Sequence, residues 1–418
     1  MRLVLRRSLL PAALLTLAAL AVAACGGGAA PGGDPANAPK DAAGAPAAPA
    51  PADPAPAAGS VPAGGAATGA KDAPIDPGFK IGIMTGTVSQ NEEEFRGGQA
   101  VARKYGAAVK HVTYPDNFMT EQETVVAQLV GLASDPAVKV IIAGQAIPGS
   151  IAAARKIREQ RPDILIGFVE PHEDPAIVNQ IVDLAIQPDQ IARGRTIIEK
   201  AKKMGATTFI HYSFPRHMSQ ELLSRRRDVM KQTAKENGID FEFVTAPDPM
   251  SEGGLAATQQ FVLEDVPREI KKYGPQTAFF STNCGMQDPL IKSVLQYGGY
   301  VPEQCCPSPT HGYPTALGIS IPPDKAGNIE YINSENRRVI AEHKMTGHFG
   351  TWPVPESMLA IRAEVDLLVD AINSKVDYKD PEVVKRYLVE RAGVPVTLAR
   401  YDTQKGNQYL MLVDGIIY

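Results

Sequence analysis

From Phe79 onward, short apolar runs alternate with amphipathic segments, and this alternation restricts the fold more than any other feature of the sequence. The run 79–86 predicts a strand. The segment 92–105 predicts a helix that ends at Gly106, a residue type that often caps helices at their C-terminal end. Continuous Val, Ile, Leu and Phe runs separated by helices are typical of parallel sheets covered on both faces. We therefore predict an α/β protein.

The alternation occurs as two series, which predicts two doubly wound, Rossmann-like lobes with a cleft between them. We assign residues 79–187 and 350–418 to the N-terminal lobe and 188–349 to the C-terminal lobe. The later predicted strands are 108–114, 138–143, 164–169, 181–186, 207–212, 241–245, 277–281, 316–321, 396–401 and 409–413. The last two strands are expected to form a hairpin. The proline-containing stretch 351–355 is expected to be the last crossing between the lobes.

Residues 1–24 have the features of an export signal. Three arginines precede an uncharged segment rich in Leu and Ala, and small residues precede Cys25. The segment is too short for a membrane-spanning helix and has the order of parts found in secretory signals. The sequence Val22-Ala23-Ala24-Cys25 resembles the lipobox of bacterial lipoproteins. That resemblance implies cleavage before Cys25 and attachment of a diacylglycerol to its thiol.

Residues 25–78 are predicted to form a disordered tether, because Ala, Pro and Gly dominate and large apolar side chains are nearly absent. Such a composition cannot bury enough surface to offset the loss of chain entropy. An anchor and a tether together predict a lipid-anchored protein of the cell envelope that faces the periplasm or the cell exterior. Residue 26 is glycine rather than the acidic residue associated with inner-membrane retention in some bacteria. The sequence is therefore compatible with an anchor in the outer membrane as well as in the inner membrane.

Charge and motifs exclude several functions. A net charge of -4 argues against nucleic-acid binding, which usually requires a basic patch. The run Arg225-Arg226-Arg227 is interpreted as a solvated helix face. The sequence has no G-x-S-x-G elbow, phosphate loop, H-E-x-x-H or C-x-x-C motif. We therefore predict no catalytic residues, no metal, no cofactor and no enzymatic activity.

The cysteines leave a question open. If Cys25 is acylated, Cys284, Cys305 and Cys306 remain, an odd number that cannot all pair within one chain. Adjacent cysteines bridge each other only with strain. A bridge from Cys284 to Cys305 or to Cys306 is one possibility, and free thiols are the other.

Several segments resemble known families. The stretches "HYSFPRHMSQELLSRRRDVMKQT", "FFSTNCGMQDPLI" and "TWPVPESM" are similar to an uncharacterised bacterial lipoprotein family catalogued as domain of unknown function 3798. The stretches "IGIMTGTVSQNEEEFRGGQAVARKYG" and "IVDLAIQPDQIARGRTIIEKAKKMGATTFIHYSF" resemble basic-membrane-protein lipoproteins. The resemblance covers 79–418 and implies a type I periplasmic binding protein fold. It also makes a nucleoside or a related ring compound a candidate ligand.

Ligands of open α/β sheets bind beyond the carboxyl ends of the strands, so the turns after the predicted strands are the candidate site. The candidate ligand-binding residues are Thr87, Gln90, Gln145, Glu170, His172, Phe214, Arg216, Asn283 and Trp352. Phe214 and Trp352 are expected to stack on a planar ligand, and Glu170 to accept hydrogen bonds from it. The amides and the guanidinium are expected to hydrogen-bond the ligand. Helix capping, packing or surface ion pairing would be the ordinary roles of the same residue types.

The preferred hypothesis is a membrane-anchored solute-binding lipoprotein that closes two lobes on a small polar ligand. Its partners would be the ligand, a membrane reached through the lipid anchor, and an ABC permease or a membrane sensor. Two alternatives stay open. A thiol-dependent envelope enzyme would use Cys284 with His211, His217 or His311 as its base. A structural lipoprotein would have a cleft filled by side chains.

Overall fold

The computed structural model describes residues 73–402 and 406–418. The predicted signal peptide, the lipidation site Cys25 and most of the predicted tether lie outside the described residues. The end of the predicted tether contacts the folded part, because the Ile75 N–H donates to the Lys104 carbonyl at 2.8 Å. Within the described residues, no helix is both long enough and apolar enough to cross a membrane.

The strands in chain order are β1 Lys80–Thr85, β2 Val109–Thr113, β3 Val138–Ala143, β4 Leu165–Val169, β5 Leu184–Pro188, β6 Thr208–Ser213, β7 Asp240–Thr245, β8 Thr277–Ser281, β9 Gly350–Thr351, β10 Val396–Arg400, β11 Gln408–Val413 and β12 Ile416–Ile417. The helices are α1 Val88–Tyr105, α2 Gln122–Ala133, α3 Ser150–Gln160, α4 Pro175–Ile181, α5 Gln190–Met204, α6 Pro215–Met218, α7 Glu221–Glu236, α8 Gly254–Tyr273, α9 Gln287–Tyr297, α10 Tyr313–Ala316, α11 Ile329–Glu342, α12 Glu356–Ser374 and α13 Pro381–Ala392.

The first lobe is built on a seven-stranded sheet in the order β10-β11-β5-β4-β3-β1-β2. Its strands pair in parallel, except for the predicted hairpin of β10 and β11, which is antiparallel. Both faces of the sheet are covered. Ile83 packs in a core with α12 and α13, whereas Met84, the next residue, packs in a second core with α2 and α3. This alternation explains why β1 is buried and apolar on both faces from Ile81 to Met84.

The second lobe contains a parallel sheet in the order β7-β6-β8. Two isolated parallel β-bridges extend this sheet. One pairs Ala278 with Tyr300, and the other pairs Val301 with Phe349. Beside this extension, β9 pairs with β12 in the antiparallel direction. Two lobes that each carry helices around a mainly parallel sheet confirm the predicted α/β fold class.

The described chain passes between the lobes three times: after β5, between β9 and α12, and between β11 and β12. The stretch 351–355 is therefore a crossing, but it is not the last one as predicted. Ile416 and Ile417 return to β9, and Tyr418 lies in a second-lobe core. The extra crossing has no periodicity of its own because β12 is only two residues long. The lobe boundaries as a whole stay a prediction.

Two predicted strands differ from the structure. Residues 316–321 do not form a strand; α10 ends at Ala316, and Gly318 follows with a φ of +67°. The strand predicted from 181 begins instead at Leu184, because Pro175–Ile181 is helical. The Asp174 carboxylate accepts from the Ala176 N–H at 2.8 Å and so caps this helix.

Candidate ligand-binding cleft

A cavity of about 440 Å³ lies between the two lobes. This volume is within the range of small-molecule sites. The first lobe lines it with residues at the carboxyl ends of β3, β4 and β5, namely Gln145, Glu170 and Gln187. The second lobe lines it with the segments that follow β6 and β8. The strand ends converge here because the strands within each sheet run parallel.

Six of the nine predicted ligand-binding residues line this cavity: Gln90, Gln145, Glu170, His172, Arg216 and Asn283. The other three contact protein groups. Thr87 caps α1 by accepting from the Gln90 N–H at 3.3 Å, and it donates to Asp116 at 2.6 Å. Trp352 is fully buried. Ligand contact by any of the nine residues stays a prediction.

Phe214 supports polar residues of the cavity wall. It is fully buried, and its ring lies 4.2 Å from the His217 ring and 5.1 Å from the Arg216 guanidinium. Arg216 is also held by Asp248 through two hydrogen bonds of 2.8 and 2.9 Å. Such a two-pronged pair fixes the direction of the guanidinium. The buried Phe214 ring therefore packs against Arg216 and His217 and helps to position them in the cavity wall.

Gln145 and Glu170 have strained main chains. Their φ angles are +38° and +45°, a region that residues other than glycine seldom adopt. Both side chains line the cavity and are anchored, since Gln145 lies 3.3 Å from the Tyr114 hydroxyl and Glu170 accepts from the Ser357 hydroxyl at 3.1 Å. Backbone strain of this kind is concentrated at functional sites. It therefore supports a binding role for this wall.

Arg226 was predicted to lie on a solvated helix face, and this prediction is wrong. Its side chain is only 1% exposed and lines the cavity. One nitrogen donates to Gln190, whereas Nε and Nη2 have no hydrogen-bond partner among the described residues. The four-residue spacing of Leu222, Arg226 and Met230 on the buried face of α7 is the signal that could have revealed it.

Four carboxyl groups surround the junction of α12 with the first lobe: Glu93, Glu94 and Glu356, which are buried, and Glu170, which is half-buried. Burial raises the pKa of Glu93 and of Glu170 to about 8. Burial also raises the pKa of Glu94 and Glu356 well above the usual range. With a pKa of about 8, Glu93 and Glu170 keep their protons near neutral pH and can donate as well as accept hydrogen bonds. Of the four, only Glu170 is a predicted ligand-binding residue.

Glu93 should make stability depend on pH. The folded protein keeps the Glu93 proton up to a pKa of about 8, whereas the unfolded chain loses it near the ordinary pKa of 4.5. The folded state binds more protons in this window, so the free energy of unfolding falls as the pH rises. Above pH 6.5, the ordinary pKa of histidine, buried His172 does not oppose this trend because its own pKa is lowered by burial.

We expect thermal unfolding temperatures to decline from pH 6.5 to 8 and Glu93→Gln to weaken that decline. Plotted against pH, the free energy of unfolding of the unchanged protein should fall more steeply than that of Glu93→Gln, by up to about 1.4 kcal/mol per pH unit. Glu123→Gln is the control, because Glu123 is exposed on α2. An unchanged slope in Glu93→Gln would show that Glu93 is already ionised in the folded protein.

Three cysteine thiols meet at the second-lobe wall of the cavity. Cys284 Sγ lies 3.5 Å from Cys305 Sγ and 3.4 Å from Cys306 Sγ, and all three are free thiols. Hydrogen bonds to the other two sulfurs raise the pKa of Cys284 well above its usual range. A thiol with a raised pKa is a poor nucleophile. Asn283, beside it, accepts from the Gly285 N–H at 2.9 Å.

Known proteins resemble the chain in sequence and in fold. Residues 79–350 match the family described as "Protein of unknown function (DUF3798)". A protein of Treponema pallidum (strain Nichols), described as uncharacterized, is 36% identical over 178 residues, which are 41% of this chain and 80% of that protein.

Two solved structures show the fold. A Clostridium difficile 630 protein, described as a candidate transcriptional regulator, has a TM-score of 0.69 and 25% identity, with 82% of this chain and 100% of that chain covered. An ABC transporter periplasmic solute-binding protein from Actinobacillus succinogenes 130z with bound D-allose has a TM-score of 0.50 and 13% identity, with 81% and 96% covered. The fold is that of type I periplasmic binding proteins, and by the match over residues 79–350 the chain belongs to the DUF3798 family.

Proposed function

We propose that the protein is a membrane-anchored solute-binding lipoprotein that closes its two lobes on a small polar ligand. The observation that carries this proposal is the cavity of about 440 Å³, which both lobes line with polar residues at their strand ends. A ligand in such a cavity contacts both lobes at once and favours the closed arrangement over an open one. The solute-binding fold shared with the A. succinogenes protein supports the same conclusion.

The lining residues indicate the chemistry of the ligand. Gln90, Gln145, Gln187 and Gln190 offer amides that donate and accept hydrogen bonds, as hydroxyl-bearing ligands require. Arg226 offers two nitrogens that have no hydrogen-bond partner among the described residues, which favours an acceptor on the ligand.

Phe118, Met250 and Leu255 add apolar surface to the same cavity. A ring can pack on such surface while its polar groups meet the amides. A sugar or a nucleoside-like ring compound fits this combination, because each carries hydroxyl groups on a compact ring.

The anchoring part of the proposal rests on the sequence. The lipobox-like stretch before Cys25 and the following Ala/Pro/Gly-rich tether would hold the folded lobes near a membrane in the cell envelope. There the protein would deliver its ligand to an ABC permease or report it to a membrane sensor.

Native mass spectrometry of protein purified without refolding tests the proposal. We expect a co-purified small molecule bound one to one, and spectra of the mature N-terminal peptide should show Cys25 carrying a diacylglycerol. A thermal shift screen across nucleosides, sugars and amino acids should then give stabilisation by one class, as expected for a ligand that binds only the folded state. No bound molecule and no shift with any class would contradict solute binding.

The two alternative functions have less support. A structural lipoprotein with a filled cleft does not agree with an open cavity of this size. For a thiol-dependent enzyme, Cys284 would need a histidine base within hydrogen-bond reach. The contacts of its sulfur in the described residues are instead the two other thiols.

A further inference from the structure

The three thiols at the cleft wall come from two separate segments. Cys284 follows β8, whereas Cys305 and Cys306 lie in a loop about twenty positions later. The three Sγ–Sγ distances are 3.4, 3.5 and 3.7 Å, so the sulfurs form a nearly equilateral triangle. All three residues line the cavity. The fold therefore gathers every cysteine of its described part at one point.

The triangle has the dimensions of one face of a metal–thiolate tetrahedron. Sulfur atoms bound to one tetrahedral Zn²⁺ at about 2.3 Å lie about 3.8 Å apart. The sulfur separations in the cleft wall are shorter than this by a few tenths of an ångström. Small side-chain movements would therefore place all three sulfurs around one ion. A disulfide would use only two of them and leave the third unpaired.

His311 is the candidate fourth ligand beside two of the three thiols, whereas the Cys306 sulfur also lies within 4.8 Å of carboxylate oxygens of Glu170 and Glu356. One of its ring nitrogens lies within 4.8 Å of the sulfurs of Cys284 and Cys305. Its Nε2 is buried and has no hydrogen-bond partner among the described residues. A buried imidazole nitrogen without a partner needs one, and a metal ion is such a partner.

The loop that carries these ligands is held in shape by Gln304. This fully buried side chain donates to the Ser308 carbonyl at 2.7 Å and to the His311 carbonyl at 2.8 Å. These two bonds fix the path of the loop between Cys305 and His311. Hydrogen bonds that hold the ligand-bearing residues in place are typical of specific metal sites.

Charge is also compatible with a bound ion. One divalent cation with three thiolates carries a net charge of -1, which is costly to bury alone. The Arg226 guanidinium lines the same cavity and interacts electrostatically with Cys305 and Cys306. It would offset the negative charge of the complex.

We propose a binding site for one thiophilic metal ion of the Zn²⁺ class in the wall of the cleft. Its ligands are Cys284, Cys305, Cys306 and His311. Soft thiolate ligands select such ions over Mg²⁺ or Ca²⁺, and binding releases the thiol protons. The site lies in the wall of the solute cavity, and its ligands are different side chains from the amides proposed to bind the solute.

Metal titration of the full chain tests the proposal. The protein is purified under reducing conditions, stripped with a chelator and titrated with Co²⁺, whose spectrum reports its ligands, and then with Zn²⁺ in competition. We expect one ion per chain, a sulfur-to-cobalt charge-transfer band and the intense visible bands of four-coordinate cobalt. Zn²⁺ should displace Co²⁺ stoichiometrically.

Variants assign the ligands. Cys305→Ser and Cys306→Ser should each lower the affinity at least about a hundredfold, since changes in supporting residues alone cost 10–100-fold. His311→Gln should keep the charge-transfer band and change the visible bands. His343→Gln is the matched control for His311→Gln, because it makes the same substitution at an exposed histidine outside the cluster, and it should bind the metal like the unchanged protein. Circular dichroism checks that each variant is folded.

Three results would overturn the proposal. The first is the absence of one-to-one binding by the reduced, folded protein. The second is undiminished binding by both folded serine variants. The third is a Cys284 disulfide in freshly isolated protein that re-forms after reduction in the presence of Zn²⁺.

Discussion

Replacing Arg226 with methionine is expected to weaken solute binding roughly 10- to 150-fold while leaving the ligand-free protein at least as stable as before. The guanidinium is buried, and its Nε and Nη2 have no partner among the described residues. Methionine has a similar length and needs no partner. Replacing a poorly compensated buried charge by an apolar side chain is often neutral or stabilising. The Gln190 oxygen keeps its bond from Arg193 at 3.0 Å.

The loss of binding has a direct physical cause. A ligand acceptor that meets Arg226 makes charge-assisted hydrogen bonds in a site shielded from water, and such bonds contribute about 1.5–3 kcal/mol. Their loss corresponds to a weakening of roughly 10- to 150-fold. Calorimetric titration with the solute found by the screen measures the affinity, and thermal unfolding without ligand measures stability.

Arg225→Met is the matched control, because it makes the same substitution one residue away on an exposed side chain that pairs with Glu221 at 3.0 Å. It should leave the affinity unchanged. If Arg226→Met binds the solute as tightly as the unchanged protein, Arg226 does not contact the ligand. If it also unfolds much more easily, the guanidinium has a structural role instead.

Glu303→Gln is expected to destabilise the second lobe strongly. The Glu303 carboxylate accepts from Arg193 Nε and from Lys200 Nζ, both at 2.8 Å, and only 1% of its side chain is exposed. An amide cannot balance two buried cations. Breaking a buried ion pair on one side typically costs about 3–5 kcal/mol, because the remaining charges stay buried without compensation.

The pKa of Glu303 gives the same interaction a pH dependence. Burial by itself acts to raise this pKa, but Lys200 and Arg193 outweigh it, and the pKa is lowered below its ordinary value of 4.5. A carboxyl group with a lowered folded-state pKa stabilises the protein above the unfolded pKa. This contribution is lost as the pH falls through the folded-state pKa.

Denaturant unfolding at neutral pH measures the effect of Glu303→Gln. Asp163→Asn is the control, since Asp163 also contacts two cations, Lys139 at 2.7 Å and Arg161 at 2.8 Å, but at the surface. Surface ion pairs contribute little, so this variant should unfold close to the unchanged protein. If Glu303→Gln and Asp163→Asn lower the free energy of unfolding by similar amounts, burial is not the reason that the loss of the Glu303 carboxylate destabilises the protein.

Local sequence patterns were sufficient to predict most strands and part of the candidate ligand-binding site. Runs such as 138–143 and 277–281 are strands as predicted, since each is mostly apolar and almost fully buried. Gln145, Glu170 and Asn283 line the cavity because they follow parallel strands, whose carboxyl ends lie at the cleft. Strand ends can be located from the sequence, so residues beyond them could be predicted too.

Arg226 and the thiol cluster could not be found in the same way. Arg225 and Arg226 are identical side chains in adjacent positions; the spacing of Leu222, Arg226 and Met230 places Arg226 on the apolar face of α7, but only the packing shows that this face meets the cleft. Cys284 and Cys306 are separated by 22 positions, and no local rule brings their sulfurs to 3.4 Å. Both features depend on contacts between segments that are distant in sequence.

The sequence by itself therefore determined the α/β class, the two lobes and the edge of each sheet where a ligand can bind. These properties follow from hydrophobic periodicity and strand direction, which are local. Only the tertiary structure decided that residues 416–417 return to the second lobe, that Phe214 and Trp352 are buried, and that the Arg226 guanidinium and three thiols line the cleft. Burial and side-chain partners are properties of the packed interior, where elements far apart in sequence meet.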